Sequence, residues 1–287
     1  MYNKALRKYL VVLLAIGWVI TLLYFLPFKK KSCPLEITSG AKKITCIKKA
    51  EQSGEGSLND AFSLLKSRND NAALVIFDKV LIAQPDNLDA LWGKAEVLRR
   101  IRDYKRSEVL LNGILKREPG HIPSLISLAY IRYKDDKLEE ALQLVNLVLK
   151  NKCPDRENEA LAYMMLGTIN SRRTAKGWFF SKVRYGTQIK CFFLKAEELA
   201  PDLPEVHLGL GTFYLMAPAI VGGNLSKAIG ELELAVRIAP GFATANARLA
   251  QGYKKKGDWE KYHFYLRRAK ELDPENEVVR EDEKSGS

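Results

Sequence analysis

From residue 54 onward, the chain alternates between stretches with apolar residues at helical spacing and prolines that close them. Stretches such as ALWGKAEVL, SLISLAYIRY, ALAYMMLGTI and HLGLGTFYL place apolar or small residues three and four positions apart, as on one buried helix face. Pro85 and Pro119 are 34 residues apart, and so are Pro240 and Pro274. Because proline lacks an amide donor and clashes with the preceding turn, each one marks a helix end. The pattern predicts an all-α chain of repeated helix pairs.

Small residues recur where the two helices of each predicted pair should approach, because a large side chain there would push the helices apart. In the first helices these are Ala95, Ala129, Gly167, Gly211 and Ala250, and in the second helices Ser107, Ala141 and Ala228. A single pair buries too little apolar surface to be stable, but a stack of pairs forms a continuous core. We therefore predict an elongated array of helix pairs.

The last unit carries the pattern most clearly, with Leu249-Ala250, Tyr253, Gly257-Asp258-Trp259, Leu266, Ala269 and Pro274. These residues and the interval of 34 resemble the tetratricopeptide repeat (TPR) family. The resemblance covers about residues 54–276 and implies a TPR-type helical-hairpin solenoid, a right-handed superhelix with a concave groove. Its six repeats are predicted at about residues 54–87, 88–121, 122–156, 160–203, 204–242 and 243–276.

The resemblance also places certain side chains of the first helices on the concave face. By position these are Trp92, Glu96, Arg99, Tyr130, Tyr133, Lys134, Thr168 and Arg172. Aromatic rings mixed with cations suit an extended peptide that carries carboxylates and apolar side chains. The Lys/Asn pattern with which some family members hold a chaperone's C-terminal carboxylate is absent at the matching positions.

Two neighbouring units are longer than the rest. The distance from the small residue of the first helix to the closing proline is 24 between Ala95 and Pro119, but 34 between Gly167 and Pro201 and 29 between Gly211 and Pro240. The sequence thus predicts insertions of ten and five residues between the two helices of these units, in SRRTAKGWFFSKVRYGTQ and APAIVGGN. We expect them to form one raised edge of the solenoid, at residues 172–185 and 217–224.

The longer insertion is basic and aromatic, without an acidic residue. Its candidate partner-binding residues are Arg173, Lys176, Trp178, Phe179, Phe180, Lys182, Arg184 and Tyr185. Three consecutive aromatics on a surface favour a binding role, but packing against Phe213, Tyr214 and Met216 as a small satellite core is the open alternative. In the shorter insertion, we expect Gly222-Gly223 to permit unusual backbone angles and Asn224 or Ser226 to cap the next helix.

The N-terminal region has a different character. A basic tail at residues 1–8 precedes the uncharged run Tyr9–Phe28, whose twenty residues match the roughly 30 Å hydrocarbon core of a bilayer. This run predicts one transmembrane helix that is not cleaved, followed by a basic linker at residues 29–53. The predicted localisation is a single-pass membrane protein, with a slight preference for a solenoid outside the cytoplasm (in the periplasm of a bacterium).

The net charge of +12 does not indicate nucleic-acid binding. Residues 1–50 hold ten Lys/Arg and one Glu, so most of the excess lies beside the apolar run, where lipid head groups are the expected contact. The remaining chain, including the charged tail at residues 277–287, is nearly balanced.

Catalytic and metal-binding patterns are absent from the sequence. His121, His207 and His263 lie within the repeat framework without a neighbouring nucleophile, and Gly222-Gly223 lacks the GK[ST] of a phosphate-binding loop. Cys33 and Cys46 either form a disulfide or are free thiols. Cys153 and Cys191 lie in stretches predicted to be helical and are expected to be buried. We predict no enzyme, no cofactor and no metal.

The sequence is consistent with two functions. The first is a membrane-anchored TPR scaffold that binds protein or peptide partners through the groove and the insertion edge. The second is an accessory component of a solute transport system that binds a small ligand or docks a solute-binding protein. Native mass spectrometry would discriminate between the two functions, because only the second predicts a retained small ligand.

Self-association through the aromatic C-terminal helix DWEKYHFYLRRAKEL is a further expectation, unless Val278 and Val279 fold back and cover Trp259, Tyr262, Phe264 and Tyr265.

Overall fold

The computed structural model describes residues 55–150, 155–176 and 179–286. These residues form thirteen α-helices and no strand, which confirms the predicted all-helical class. The helices are α1 (Glu55–Lys66), α2 (Asp70–Ala83), α3 (Leu88–Arg100), α4 (Tyr104–Arg117), α5 (Ile122–Lys134), α6 (Leu138–Lys150), α7 (Arg156–Lys176), α8 (Phe179–Leu199), α9 (Pro204–Met216), α10 (Leu225–Ile238), α11 (Ala243–Lys256), α12 (Trp259–Leu272) and α13 (Glu277–Gly286).

The first twelve helices pack as six antiparallel hairpins, α1/α2 to α11/α12, and each hairpin packs on the next. Pro85, Pro119, Pro201, Pro240 and Pro274 each stand two residues after the last residue of a second helix. Proline at this place prevents the helix from continuing. The chain must therefore turn and start the next hairpin.

The core is a series of layers between hairpins. The small residues at the helix crossings, among them Ala95, Ala129, Ala228 and Ala250, have no exposed surface. A Cβ added at Gly167 would lie 2.3 Å from Cε1 of Phe193, and one at Gly211 would lie 2.5 Å from Cγ of Leu232. These glycines are therefore needed for close helix approach, and one large apolar cluster runs through the fourth, fifth and sixth hairpins.

The ten-residue insertion lengthens the two helices of the fourth hairpin, which corrects the prediction that it lies between them. Both α7 and α8 have 21 residues, whereas the other paired helices have 12 to 14. Residues 172–176 end α7, and residues 179–185 begin α8. The fourth hairpin thus extends beyond its neighbours, because each long helix packs along the other.

The five-residue insertion is a compact connection between α9 and α10. It contains a short 3-10 helix at Ala219–Val221, followed by Gly222 with φ of 105°. The side chain of Asn224 accepts a hydrogen bond from the amide of Lys227 at 2.9 Å, and so caps α10 as expected. Lys190 of α8 lies beside Gly222, so the extended fourth hairpin passes next to this connection.

The C-terminal residues fold back as α13 over α11 and α12. Val278 and Val279 are buried against Ala247 and Ala269, which is the covering helix that repeat arrays need at their ends. Tyr262 is buried, but Trp259 and Phe264 remain 56% and 60% exposed. Self-association through these two side chains stays a prediction.

The structure contradicts the predicted localisation in a single-pass membrane protein. Among residues 55–150, 155–176 and 179–286, no helix has both the length and the apolar character that crossing a bilayer requires. On this finding the prediction is wrong, and the preference for a side of the membrane falls with it. The run Tyr9–Phe28, on which the prediction rested, and Cys33 and Cys46 lie outside the described residues.

Cys191 is half-buried and disulfide-bonded, which corrects the expectation of a buried thiol. Cys153 lies outside the described residues.

Candidate partner-binding site

The first helices of the hairpins line the inner face of the array. Each of α3, α5, α7, α9 and α11 contacts the first helix of the preceding hairpin, whereas successive second helices do not pack on one another to the same extent. A stack whose first helices are closer together than its second helices curves toward the first helices. The helices α3, α5 and α7, which carry the predicted groove residues, therefore lie on the inner side of the stack.

Four of these residues form a continuous strip of stacked cations and rings. The guanidinium of Arg99 lies 4.2 Å from the ring centroid of Tyr130, and that of Arg172 lies 4.3 Å from the ring centroid of Tyr133. The two tyrosine rings are 6.2 Å apart. All four side chains are half-buried. The strip crosses three neighbouring hairpins and offers both apolar ring faces and guanidinium N–H groups.

Three other predicted groove residues are engaged in the hydrogen bonding of the scaffold. The indole of Trp92 donates to Oγ of Ser127 at 3.1 Å, and Ser127 donates to the buried carboxylate of Glu96 at 2.9 Å. The hydroxyl of Thr168 donates to the carbonyl of Met164 at 2.9 Å. These contacts hold the strip in place, because Glu96 also accepts from Nε of Arg99 at 2.8 Å.

Acidic residues of α13 face the basic strip. Nζ of Lys134 donates to both carboxylate oxygens of Glu277, at 2.5 and 2.7 Å. Burial acts to lower the pKa of Lys134, but its hydrogen bond to Glu277 and the charges of Tyr130, Glu277 and Tyr104 together outweigh burial and raise that pKa above its usual value. Arg248 of α11 lies 3.9 Å from Glu281. The C-terminal helix thus supplies part of the negative charge that balances the groove.

Arg248, Glu277 and Glu281 were not predicted as groove residues. Lys134 and Glu277 are 143 positions apart, so no local pattern joins them. Only opposite charge indicates this contact in the sequence, because the acidic tail ENEVVREDE follows an array whose first helices carry exposed cations.

Two arginines at hairpin turns bind residues of distant hairpins, and we call these ion pairs the turn clasps. Arg68, between α1 and α2, pairs with Glu205 of α9, and its guanidinium lies 3.9 Å from the ring centroid of Phe242. Arg102, between α3 and α4, binds both carboxylate oxygens of Asp273. The clasps connect the N-terminal turns to the C-terminal half of the solenoid.

The clasp arginines have an unfavourable backbone conformation. Arg68 has φ of 65° and Arg102 φ of 66°, in the left-handed region where the equivalent turn before α12 uses Gly257. A side chain in this region costs roughly 1 to 2 kcal/mol. Burial and the neighbouring Arg100 lower the pKa of Arg68 to about 10, although Glu205 acts in the opposite direction.

The insertion edge is described only in part. Arg173 forms an ion pair with Glu139, and Arg172 lies 3.7 Å from Asp136, so both tie α7 to the third hairpin. Lys176 is the last residue of α7, while Phe179, Phe180, Lys182, Arg184 and Tyr185 lie in the first two turns of α8. Trp178 lies outside the described residues. Phe213 and Tyr214 belong to the main core and Met216 is 60% exposed.

The three histidines have different environments. His121 is buried and caps α5, with Nδ1 2.8 Å from Oγ of Ser124. His263 is exposed beside the ring of Tyr262. His207 is buried, and it is grouped with Glu197 and Glu231 in an arrangement that could hold a metal ion.

Six stacked helical hairpins with a covering C-terminal helix define a helical-repeat protein of the TPR-like type. No protein-family model matches the chain. A curated relative, the DnaJ homolog subfamily C member 7 homolog of Dictyostelium discoideum, is 26% identical over 209 residues, which make up 72% of this chain. The chain spans 38% of the length of that relative.

Two solved structures are similar to this chain at low sequence identity. The human IFIT1 dimer with m7Gppp-AAAA is similar with a TM-score of 0.57 and 19% identity, over 79% of this chain and 52% of that chain. Pseudomonas aeruginosa pilF is similar with a TM-score of 0.45 and 17% identity, over 81% of this chain and 97% of that chain. At these identities the IFIT1 likeness shows the fold alone, a TPR-like helical repeat.

Proposed function

We propose that this protein is a TPR-like scaffold whose concave groove binds extended, acidic peptide segments of partner proteins. The observation that carries the proposal is the strip of Arg99, Tyr130, Tyr133 and Arg172. A guanidinium stacked on a ring can still donate from its edge, and the ring gives an apolar face. Two N–H groups of Arg99 already bind Glu96, so Arg172 is the guanidinium that would meet a peptide carboxylate.

The spacing of the strip suits an extended peptide. The ring centroids of Tyr130 and Tyr133 are 6.2 Å apart, close to the roughly 6.8 Å between side chains i and i+2 of an extended chain. Such a peptide would place alternate side chains on the two rings. Its carboxylates would then meet Arg172 and Lys134, and would replace Glu277 as the partner of Lys134.

Charge reversal in the groove tests this proposal. Selection of random twelve-residue peptides on the purified full chain should enrich sequences that combine Asp or Glu with apolar residues. For the best peptide, Lys134→Glu together with Arg172→Glu is expected to weaken binding at least a hundredfold, because two charge-assisted contacts become repulsive. Fluorescence anisotropy measures the dissociation constants.

The matched control is Arg237→Glu on the exposed face of α10, which changes the charge in the same direction outside the groove. It is expected to alter affinity by less than about threefold, through long-range electrostatics alone. Enrichment of basic peptides, or equal affinity of all three proteins, would contradict the proposed groove.

The insertion edge is proposed as a second contact for the same partner. Replacing Trp178 and Phe179 by Ala, and Arg173 and Lys176 by Glu, is expected to abolish capture of partner proteins in a quantitative crosslinking pull-down. The helical melting curve should shift by only a few degrees, since Arg173 pairs with an exposed carboxylate. A large loss of thermal stability with the captured proteins unchanged would assign the insertion to the scaffold instead.

A further inference from the structure

Three side chains that commonly bind metals converge where the fourth hairpin meets the fifth. Glu197 is near the end of α8, His207 is in the second turn of α9, and Glu231 is in α10. One ligand atom of each lies within 4.8 Å of the other two. In the part of the chain that the structure describes, this is the one such group of three.

The histidine is oriented as metal-binding histidines usually are. His207 is 3% exposed, and its Nε2 lies 2.6 Å from the carbonyl oxygen of Pro201, so Nε2 carries the proton and donates it. Its Nδ1 lies 2.9 Å from Oε2 of Glu231. A backbone carbonyl on one ring nitrogen fixes the other nitrogen as a ligand. Two acceptors this close need a positive group between them, either a proton or a metal ion.

The third side chain adds negative charge without a counter-ion. Glu197 forms no hydrogen bond or ion pair with the residues that the structure describes. One of its carboxylate oxygens lies within 4.8 Å of a carboxylate oxygen of Glu231. A cation at this point would relieve the repulsion between the two carboxylates.

We propose that Glu197, His207 and Glu231 bind one divalent cation of the zinc class, with water completing its coordination. A nitrogen ligand beside two carboxylates suits Zn²⁺, whereas Mg²⁺ and Ca²⁺ prefer oxygen ligands throughout. In tetrahedral zinc sites, with metal–ligand bonds of about 2.0 to 2.1 Å, two ligand atoms lie about 3.4 Å apart. Glu197, which is half-buried and unpaired in the described structure, needs to move by up to about 1.4 Å to complete the site.

Such an ion would connect α8 with both helices of the next hairpin. These two hairpins carry the insertions, so the bound metal would fix the position of the extended α7/α8 hairpin relative to the connection at Gly222. The site is distinct from the groove, since Glu197 and Glu231 lie on second helices.

Zinc titration of the chelator-treated full chain tests the proposal. We expect calorimetry to show one site lost in the Glu197→Gln variant. At a zinc concentration one hundred times the dissociation constant, Tm should rise by about 5 to 10 °C in the wild type. Glu197→Gln should have an unchanged or higher Tm without zinc, because a repulsive charge is removed, and should gain little from zinc.

Glu198→Gln is the matched control, since Glu198 is the adjacent exposed residue and pairs with Lys195. It should keep the full response to zinc. If zinc leaves the Tm of the wild type unchanged, or stabilises Glu197→Gln as strongly as the wild type, the proposal is overturned. His207 and Glu231 then form an ordinary hydrogen-bonded pair.

Discussion

Replacing Gly223 with alanine is expected to lower the free energy of unfolding by about 3 kcal/mol. A Cβ at this position would lie 1.8 Å from the carbonyl oxygen of Ala217 and 2.7 Å from its carbonyl carbon. Both are backbone atoms, so no side-chain rotation relieves the clash. The backbone cannot simply shift, because the amides of Gly223 and Asn224 donate to the carbonyls of Pro218 and Tyr214 at 3.0 and 2.9 Å.

The same substitution seven residues later should have the opposite sign. A Cβ added at Gly230, within α10, meets nothing within 4 Å, and alanine favours a helix interior over glycine by about 1 kcal/mol. Urea denaturation of Gly223→Ala and Gly230→Ala, followed by circular dichroism, measures both effects. If the two variants are equally stable, the backbone around Gly223 can move to accommodate a Cβ despite its hydrogen bonds.

The second large effect is expected from Glu96→Ala, at about 3 to 5 kcal/mol of lost stability. Glu96 is 7% exposed and accepts hydrogen bonds from Arg99, Arg100 and Ser127. Its removal leaves the half-buried guanidiniums of Arg99 and Arg100 without this carboxylate, and only Arg100 keeps another one, that of Asp70. Glu139→Ala removes an ion pair with Arg173 in which Glu139 is 77% exposed, and should cost at most about 1 kcal/mol. If Glu96→Ala and Glu139→Ala lower the free energy of unfolding by similar amounts, burial does not make the contacts of Glu96 stronger than an exposed ion pair.

The contribution of Glu96 should also depend on pH. Burial acts to raise the pKa of Glu96, but the charges and hydrogen bonds of Arg99 and Arg100 outweigh it and hold that pKa well below its usual value. A carboxylate with a lowered folded-state pKa stabilises the fold above its unfolded pKa of about 4.3. The stability difference between wild type and Glu96→Ala should therefore be complete at pH 7 and smaller at pH 3, in paired denaturation curves.

The helix pairs could be predicted from the sequence because the features that determine them are local. Proline spacing, small residues at crossings and the cap at Asn224 each depend on a few neighbouring residues. The helical form of the long insertion is not local in this sense. The distances to the closing prolines predict an insertion between the two helices of the unit. No proline interrupts residues 172–185, however, and two helices that pack along each other stabilise residues that neither would hold alone.

The candidate sites were predictable only in part for a related reason. Helix register places Tyr130 and Tyr133 on one face of α5, and the resemblance to TPR repeats, not spacing, implies that Arg172 of α7 lies on the same side. The curvature of the stack decides which distant residues face that strip, and it brings Glu277 to Lys134. His207 and Glu231 also meet through hairpin packing, at a separation of 24 residues that includes the five-residue insertion.

The turn clasps change how this solenoid should come apart. In an open array each repeat touches only its neighbours, so the end repeats open first and the rest follow independently. Here Arg68 binds the fifth hairpin and Arg102 binds the end of the sixth. These two ion pairs join the first and second hairpins to the last two hairpins. Neither end of the array can therefore unfold without breaking contacts with distant hairpins. Unfolding is then expected to be a single concerted event, with similar hydrogen-exchange protection in the first and last hairpins.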